Sequence, residues 1–404
     1  MAGKIIVSGT GCCLVDILYN NIDFGGETIL PFLSRVPGDG GLVPGKLVFE
    51  EEFERYCGVS LDKFTEAVMG GRPCNKLNIG GPSIVSLINA AQMTSRENCE
   101  VRFYGSGGND KNGRFLLDSL KKTPVVLRDY RFTENRTPST LVLSDPDYDD
   151  GHGERMFINS IGSAWDFQPD ELDEEFFSSD IVVFGGTALV PQIHDNLSAL
   201  IRNAKSHGCV TIVNTVFDFR NEKADPSGRW PLGEDDESYR LTDLLIADNV
   251  EALRLSGTNS IDVAVEFFIE KGVHSFLITN GSSDLTAYSD GSFFRGFPVT
   301  KLPVSQVIKD KVRNSEGGDT TGCGDNFAGG VIASVVNQKK FGASHPDLPE
   351  ACSWGVVSGG FTCFYMGGTY IEGQPGEKLS LVKPYYDSYR EQLLSEVNLP
   401  GING

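Results

Sequence analysis

From Asp180 onward the chain alternates short apolar runs with amphipathic stretches, and this rhythm restricts its fold more than any other feature. Ile181 to Phe184, Val210 to Asn214, Leu244 to Ala247 and Ser275 to Thr279 read as buried strands. Gln192 to His207 and Ser260 to Lys271 carry helical spacing between them, and an acidic loop with Pro226 and Pro231 fills the remaining interval. Strands and helices alternating at these lengths predict a parallel sheet covered on both faces by right-handed crossovers. Sheets of that kind bind ligands beyond the carboxyl ends of their strands.

Late in the chain, DTTGCGDNFAGG runs from Asp319 to Gly330 and leads into an apolar helical pattern that ends near Val336. Gly322 and Gly324 let the backbone bend so that the amides of Gly322, Cys323 and Gly324 converge where a helix begins. Such a helix start attracts anions. Asp325 stands one residue beyond the cradle, where its charge opposes a phosphate that is merely bound. It suits a base that takes a proton from a hydroxyl while the amides stabilise a transferring phosphoryl group. The plainer alternative is that Asp325 caps the helix and the glycines only make a turn.

The whole stretch closely resembles the signature of the PfkB or ribokinase-like family of carbohydrate and nucleoside kinases, D-T-x-G-A-G-D-x-F-x-x-G. The resemblance implies a three-layer α/β/α ribokinase-like fold with a mainly parallel central sheet and a small β lid. It also implies one kinase domain over residues 1–404, with lid strands contributed by about 19–50 and 136–160. It assigns the catalytic base to Asp325 and the anion hole to Gly322, Cys323 and Gly324, with Cys323 in place of the usual Ala. ATP and Mg²⁺ follow as cofactors. For some members a monovalent cation such as K⁺ sits beside the anion hole, which here falls to Asp319.

Earlier motifs fit the same order. Lys4 to Ser8 reads as a first buried strand, and the GTGCCLVD turn after it lacks the third glycine of a dinucleotide fingerprint because Leu14 stands there. Asp16, just beyond that strand, matches the family's Asp that binds substrate hydroxyls. GGLVPGKL, Gly40 to Leu47, nearly matches a P-loop but has Leu47 where a metal-binding Ser or Thr belongs. Asn21 to Gly45 reads as irregular strands and turns, and Glu50 to Met69 as a helix divided at Gly58. Gly80 and Gly81 match the family's Gly-Gly turn at the sugar, with Val85 where an Asn is usual and Ser83 nearby. Asp110 and Gly113 fall in a family block and read as structural. Thr140 to Ser144 and Arg155 to Ile158 read as two strands around a polar excursion, and Arg155 in the G-E-R segment is a candidate substrate or phosphate contact.

On the second half, the resemblance places the family's N-x-x-E motif for magnesium on Asp248, which replaces the Asn, and Glu251, acting through water, with Asn249 as the alternative partner if the alignment shifts by one. Its T-x-G turn at the nucleotide falls on Thr279 and Gly281. Glu350 to Met366 and Lys383 to Val397 read as further helices. Phe24, Phe32, Phe49 and Phe53 either stack a nucleoside base or belong to the core.

Charge and cysteine usage narrow the partners. A net charge of −20, with no Lys/Arg run to offset it, argues against nucleic acid and anionic membranes. Nine scattered cysteines without a C-x-x-C pair indicate a reducing compartment. The N-terminal apolar run is too short for a signal peptide, so the expectation is a soluble cytoplasmic protein. The expected function is an ATP-dependent phosphotransferase acting on a hydroxymethyl group of a sugar or sugar-derived substrate. The alternatives are an adenosine-like nucleoside kinase of the same fold and a noncatalytic sugar-binding relative. The family's lids pair in some members, which adds a homodimer to the expectations.

Overall fold

The computed structural model describes residues 3–36, 38–94, 98–151, 153–314 and 320–397. Its strands are β1 (Ile5–Gly11), β2 (Leu14–Asn20), β3 (Leu47–Phe49), β4 (Lys76–Gly80), β5 (Cys99–Gly108), β6 (Val126–Thr133) and β7 (Ser139–Asp145). There follow β8 (Glu154–Ser160), β9 (Ile181–Gly185), β10 (Val210–Asn214), β11 (Leu244–Asp248), β12 (Ser275–Asn280), β13 (Ser283–Ser289) and β14 (Phe297–Leu302).

Nine of these form one sheet in the order β14-β13-β12-β11-β10-β9-β1-β5-β6. Neighbours from β12 to β6 are parallel, and only the β12–β13–β14 meander at one edge is antiparallel. The central strands β9 and β10 are buried along their whole length because both faces are covered. In β9, Ile181 and Val183 enter the core beneath helices Pro82–Gln92, Cys323–Lys340 and Leu348–Thr362. Val182 and Phe184 enter the opposite core, with helices Leu197–Ser206 and Ile261–Glu270. The three-layer α/β/α arrangement is therefore present.

Strand order reverses around β1, whose neighbours are β5 on one side and β9 on the other. A crevice opens at its carboxyl end for that reason. There the chain leaves the main sheet at Cys12 and enters a second sheet of five strands, ordered β3-β8-β7-β2-β4. One face of this second sheet packs on Ile22, Phe24, Phe53, Phe64 and Met69, so the segment between β2 and β4 is its outer cover.

Several local readings change. The described residues of 21–46 hold a short 3-10 turn, Leu30–Phe32, and an isolated bridge between Leu33 and Leu42, so among the described residues β3 and the end of β2 are the strands within 19–50. Gly58 divides Glu50–Cys57 from Leu61–Met69 at φ +73, a left-handed conformation that favours glycine. The helix read from Gln192 to His207 is two, Pro191–His194 and Leu197–Ser206. The break is stabilised from a distance, because Glu234 accepts the amides of Ser198 and Ala199 at 2.8 and 2.7 Å and so caps the second helix. The helix read over Glu350 to Met366 spans Leu348–Thr362. The last helix begins at Glu377 rather than Lys383, with Pro384 inside it, where a proline in the pattern argues for a start.

Candidate active site

The cradle forms as its glycines dictate. Gly322 is the N-cap of helix Cys323–Lys340 at φ +75, and a Cβ there would lie 2.5 Å from the Cα of Gly368. Only glycine meets both demands. A Cβ on Gly324 would meet open space, so this residue faces the cleft. The Cys323 amide is engaged by the Thr320 carbonyl at 3.3 Å, which tightens the turn and removes that amide from the three expected to converge. Asp319 lies outside the described residues.

Asp325 occupies the third helical position, while the cap is Gly322, so capping is not its role. Half-buried at the crevice, its carboxyl is pushed up to about 7 by burial. Charge on Asp325 and on Asp16 both act on the thiol of Cys12, the residue that links β1 to β2. Both carboxylates are therefore close enough to the carboxyl end of β1 for their charge to be felt there.

Asp16 is not in a turn but on β2, in the second sheet. Gly80 makes room for it, since a Cβ there would come within 2.3 Å of Asp16 Oδ2. Gly81 serves the backbone instead. At φ +104 it lets the chain pass Cys12, whose carbonyl a Cβ would meet at 2.5 Å. Register then places Asp16 in a polar row across four strands, opposite Asn78 of β4 and Thr140 of β7, with Thr140 opposite Asn159 of β8. Asn159 Nδ2 donates to Thr140 Oγ1 at 2.9 Å. Arg155 lies four residues from Asn159 on the same strand and therefore on the same face. Its guanidinium donates to Thr321 Oγ1 at 2.8 Å, so this face looks onto the cradle.

Glu251 is nearly buried at the start of helix Asn249–Ser256. It forms a capping box with Asp248 and accepts a hydrogen bond from Thr215 Oγ1 at 2.5 Å. Burial, then the charges of Asp248 and Asp325, push its carboxyl up to about 8. Among the described residues no three Asp, Glu, His or Cys side chains could hold a metal ion directly. Hard carboxylate oxygens engaged with their own helix are compatible with Mg²⁺ reached through water rather than directly. Thr279 is the penultimate residue of β12, and Gly281 turns the chain at φ +55. Beside them a polar cavity of about 470 Å³ is lined by Asn249, Asn280, Ser283, Asp284 and Lys309, large enough for a nucleotide base and ribose.

Asn326 and Lys378 escape a reading from sequence. Asn326 Nδ2 donates to the carbonyls of Gly322 and Gly368 at 2.9 and 2.7 Å, tying the cradle turn to the loop that faces it. Lys378, 1% exposed, donates to Asn326 Oδ1 at 2.7 Å, and burial brings its ammonium down to about 7. A lysine on a late helix reads as a solvated face, and no local pattern signals otherwise. Of the four phenylalanines, Phe24, Phe32 and Phe53 pack on the lid's outer side, and Phe49 meets Phe219 edge-on at 6.1 Å.

A family model described as "pfkB family carbohydrate kinase" matches residues 61–372. The chain is 25% identical over 308 residues to a probable fructokinase-4 of Arabidopsis thaliana, an alignment covering 73% of this chain and 86% of that one. Its fold matches that of the adenosine kinase from Sinorhizobium meliloti, with a TM-score of 0.68 at 18% identity over 95% of this chain and 99% of the other. It also matches an E. coli chain solved with ATP and Mg²⁺, with a TM-score of 0.62 at 17% identity over 96% and 99%.

Proposed function

We propose, for a chain that belongs to the pfkB family of carbohydrate kinases, that it transfers the γ-phosphoryl group of ATP to a hydroxymethyl group of a free sugar or sugar derivative. The observation that carries the reading is Asp325 in the first turn of the cradle helix, with the lid sheet that carries Asp16 tied to that cradle by the bond from Arg155 to Thr321. Asp325 takes the hydroxyl proton as the oxygen attacks, and the amides at Gly322 and Gly324 receive the developing phosphoryl charge. Asp16 holds the sugar by its other hydroxyls. When bound, Mg²⁺ supplies neutralisation of phosphate charge, with Asp248 and Glu251 as its outer ligands. Arg155 closes the lid over the cradle through Thr321. Thr279, Gly281 and the neighbouring cavity receive the nucleotide, and K⁺ near Asp319 belongs to the same proposal.

A sugar is favoured over a nucleoside by the row Asn78, Asp16, Thr140 and Asn159, whose amides, hydroxyl and carboxylate match neutral hydroxyl groups. The phenylalanines that could have stacked a base are committed elsewhere. A homodimer through the lid is part of the same proposal. No helix among the described residues is long and apolar enough to cross a membrane. A cytoplasmic site of action is part of the proposal.

ADP release from Mg-ATP across hexoses, pentoses, sugar acids and nucleosides, with and without K⁺, tests this reading. The expected result is turnover with one sugar class and kcat/KM at least about tenfold lower with adenosine, the discrimination expected when a site built for hydroxyls meets the wrong shape. Preference for adenosine would move the chain to the nucleoside kinases. Sugar binding without ADP release would make it a sensor.

A further inference from the structure

Cysteine stands in the cradle at a position where the signature usually has alanine, and the fold brings a second cysteine to it. Cys323 opens helix Cys323–Lys340 and Cys363 ends helix Leu348–Thr362, with their sulfurs 3.4 Å apart. Small residues allow the approach. A Cβ on Gly359 would come within 2.8 Å of the Cys323 carbonyl, and one on Gly330 within 2.4 Å of the Trp354 carbonyl, so the two helices meet backbone to backbone. Both cysteines are half-buried, within reach of a small oxidant. Cys12, Cys13, Cys99, Cys209 and Cys352 are buried, out of reach of such an oxidant.

We propose that Cys323 and Cys363 form a reversible oxidative modification site, an intrachain disulfide made by peroxide-class oxidants that switches the phosphate cradle off. One thiolate attacks the O–O bond of hydrogen peroxide, which breaks to give a sulfenic acid and, with a proton, one water. The second sulfur then attacks the sulfenic sulfur. The S–S bond forms, the S–O bond breaks, and a second water leaves with the remaining thiol proton. Two thiols lose two electrons, and peroxide gains them. Closing the gap from 3.4 Å to the roughly 2.05 Å of a disulfide draws the start of the cradle helix toward Cys363. Gly322, Gly324 and Asp325 move with it, and a misplacement of about 1 Å at a reacting centre costs about 10²-fold in rate. The effect on turnover rests on the kinase reading, whereas the bond itself does not.

Two readouts keep these apart. The full chain is treated with hydrogen peroxide, digested without reductant and mapped by mass spectrometry, while ADP release is followed in parallel. The expected result is a cross-linked peptide joining Cys323 to Cys363, an approximately 10²-fold fall in turnover, and recovery of both by dithiothreitol. Cys363→Ser keeps its basal turnover and shows no reversible loss, and Cys323→Ala likewise shows none. The proposal is overturned if inactivation is complete without that peptide, or if Cys363→Ser loses and regains activity as the unaltered chain does. Should no substrate be phosphorylated, the mapped peptide alone decides the site, and its absence overturns it.

Discussion

Asp325→Asn is expected to lower turnover by about 10² to 10⁴-fold, the usual contribution of a positioned general base, with nucleotide affinity and fold retained. Asparagine keeps the size and hydrogen-bonding reach of the side chain but cannot accept the hydroxyl proton. Stability should move the other way. The carboxyl has its ordinary value, near 3.8, in the unfolded chain and about 7 in the fold. Between those values the folded state holds the extra proton, so the contribution of this group to stability declines as pH rises from about 4 to about 7. Above pH 7 an ionised carboxylate is buried at a cost that a neutral amide avoids. At pH 8 the variant should therefore melt at or above the temperature of the unaltered protein. A variant that loses activity by unfolding would point to a structural aspartate instead.

Asp16→Ala should strike the sugar and spare the nucleotide. A carboxylate that accepts two sugar hydroxyls contributes about 1.5–3 kcal/mol per charge-assisted bond, and each 1.36 kcal/mol is tenfold in rate. The expected loss in kcat/KM for the sugar is about 10² to 10⁴-fold, while the dissociation constant for ATP changes less than about twofold. Steady-state kinetics together with nucleotide titration check it. Equal losses for both ligands would indicate that Asp16 only supports the lid, where its row partners Asn78 and Thr140 are buried.

The parts of the fold that were legible from sequence are those whose cause is local. Apolar runs flanked by turns announce strands covered on both faces, and they mark β9 to β12 to within a residue or two. The cradle was legible for a similar reason, since its glycines answer to backbone geometry written in one short stretch. Asp16 was placed near the right strand end but not on the second sheet. Nothing in GTGCCLVD states that the chain changes sheets at Cys12. The polar row across β4, β2, β7 and β8 depends on register between segments as far apart as Asp16 and Asn159, and no single stretch contains it. Lys378 reaches Asn326 across 52 residues, and only the packing of the last helix against the cradle makes that lysine part of the site. The Cys323–Cys363 contact has the same origin, because Cys323 alone is just a small residue replacing alanine.

The claim on which the rest depends is that Asp325 is the base, and the pH profile of kcat/KM addresses it most directly. This ratio reports groups in the free enzyme. A carboxylate with a value of about 7 must lose its proton to act, so kcat/KM should rise about tenfold per pH unit below about pH 7 and level off above it. The residual activity of Asp325→Asn should lack that limb. A profile in which the unaltered enzyme is flat between pH 5 and 8, or in which the same limb persists in Asp325→Asn, would contradict the account.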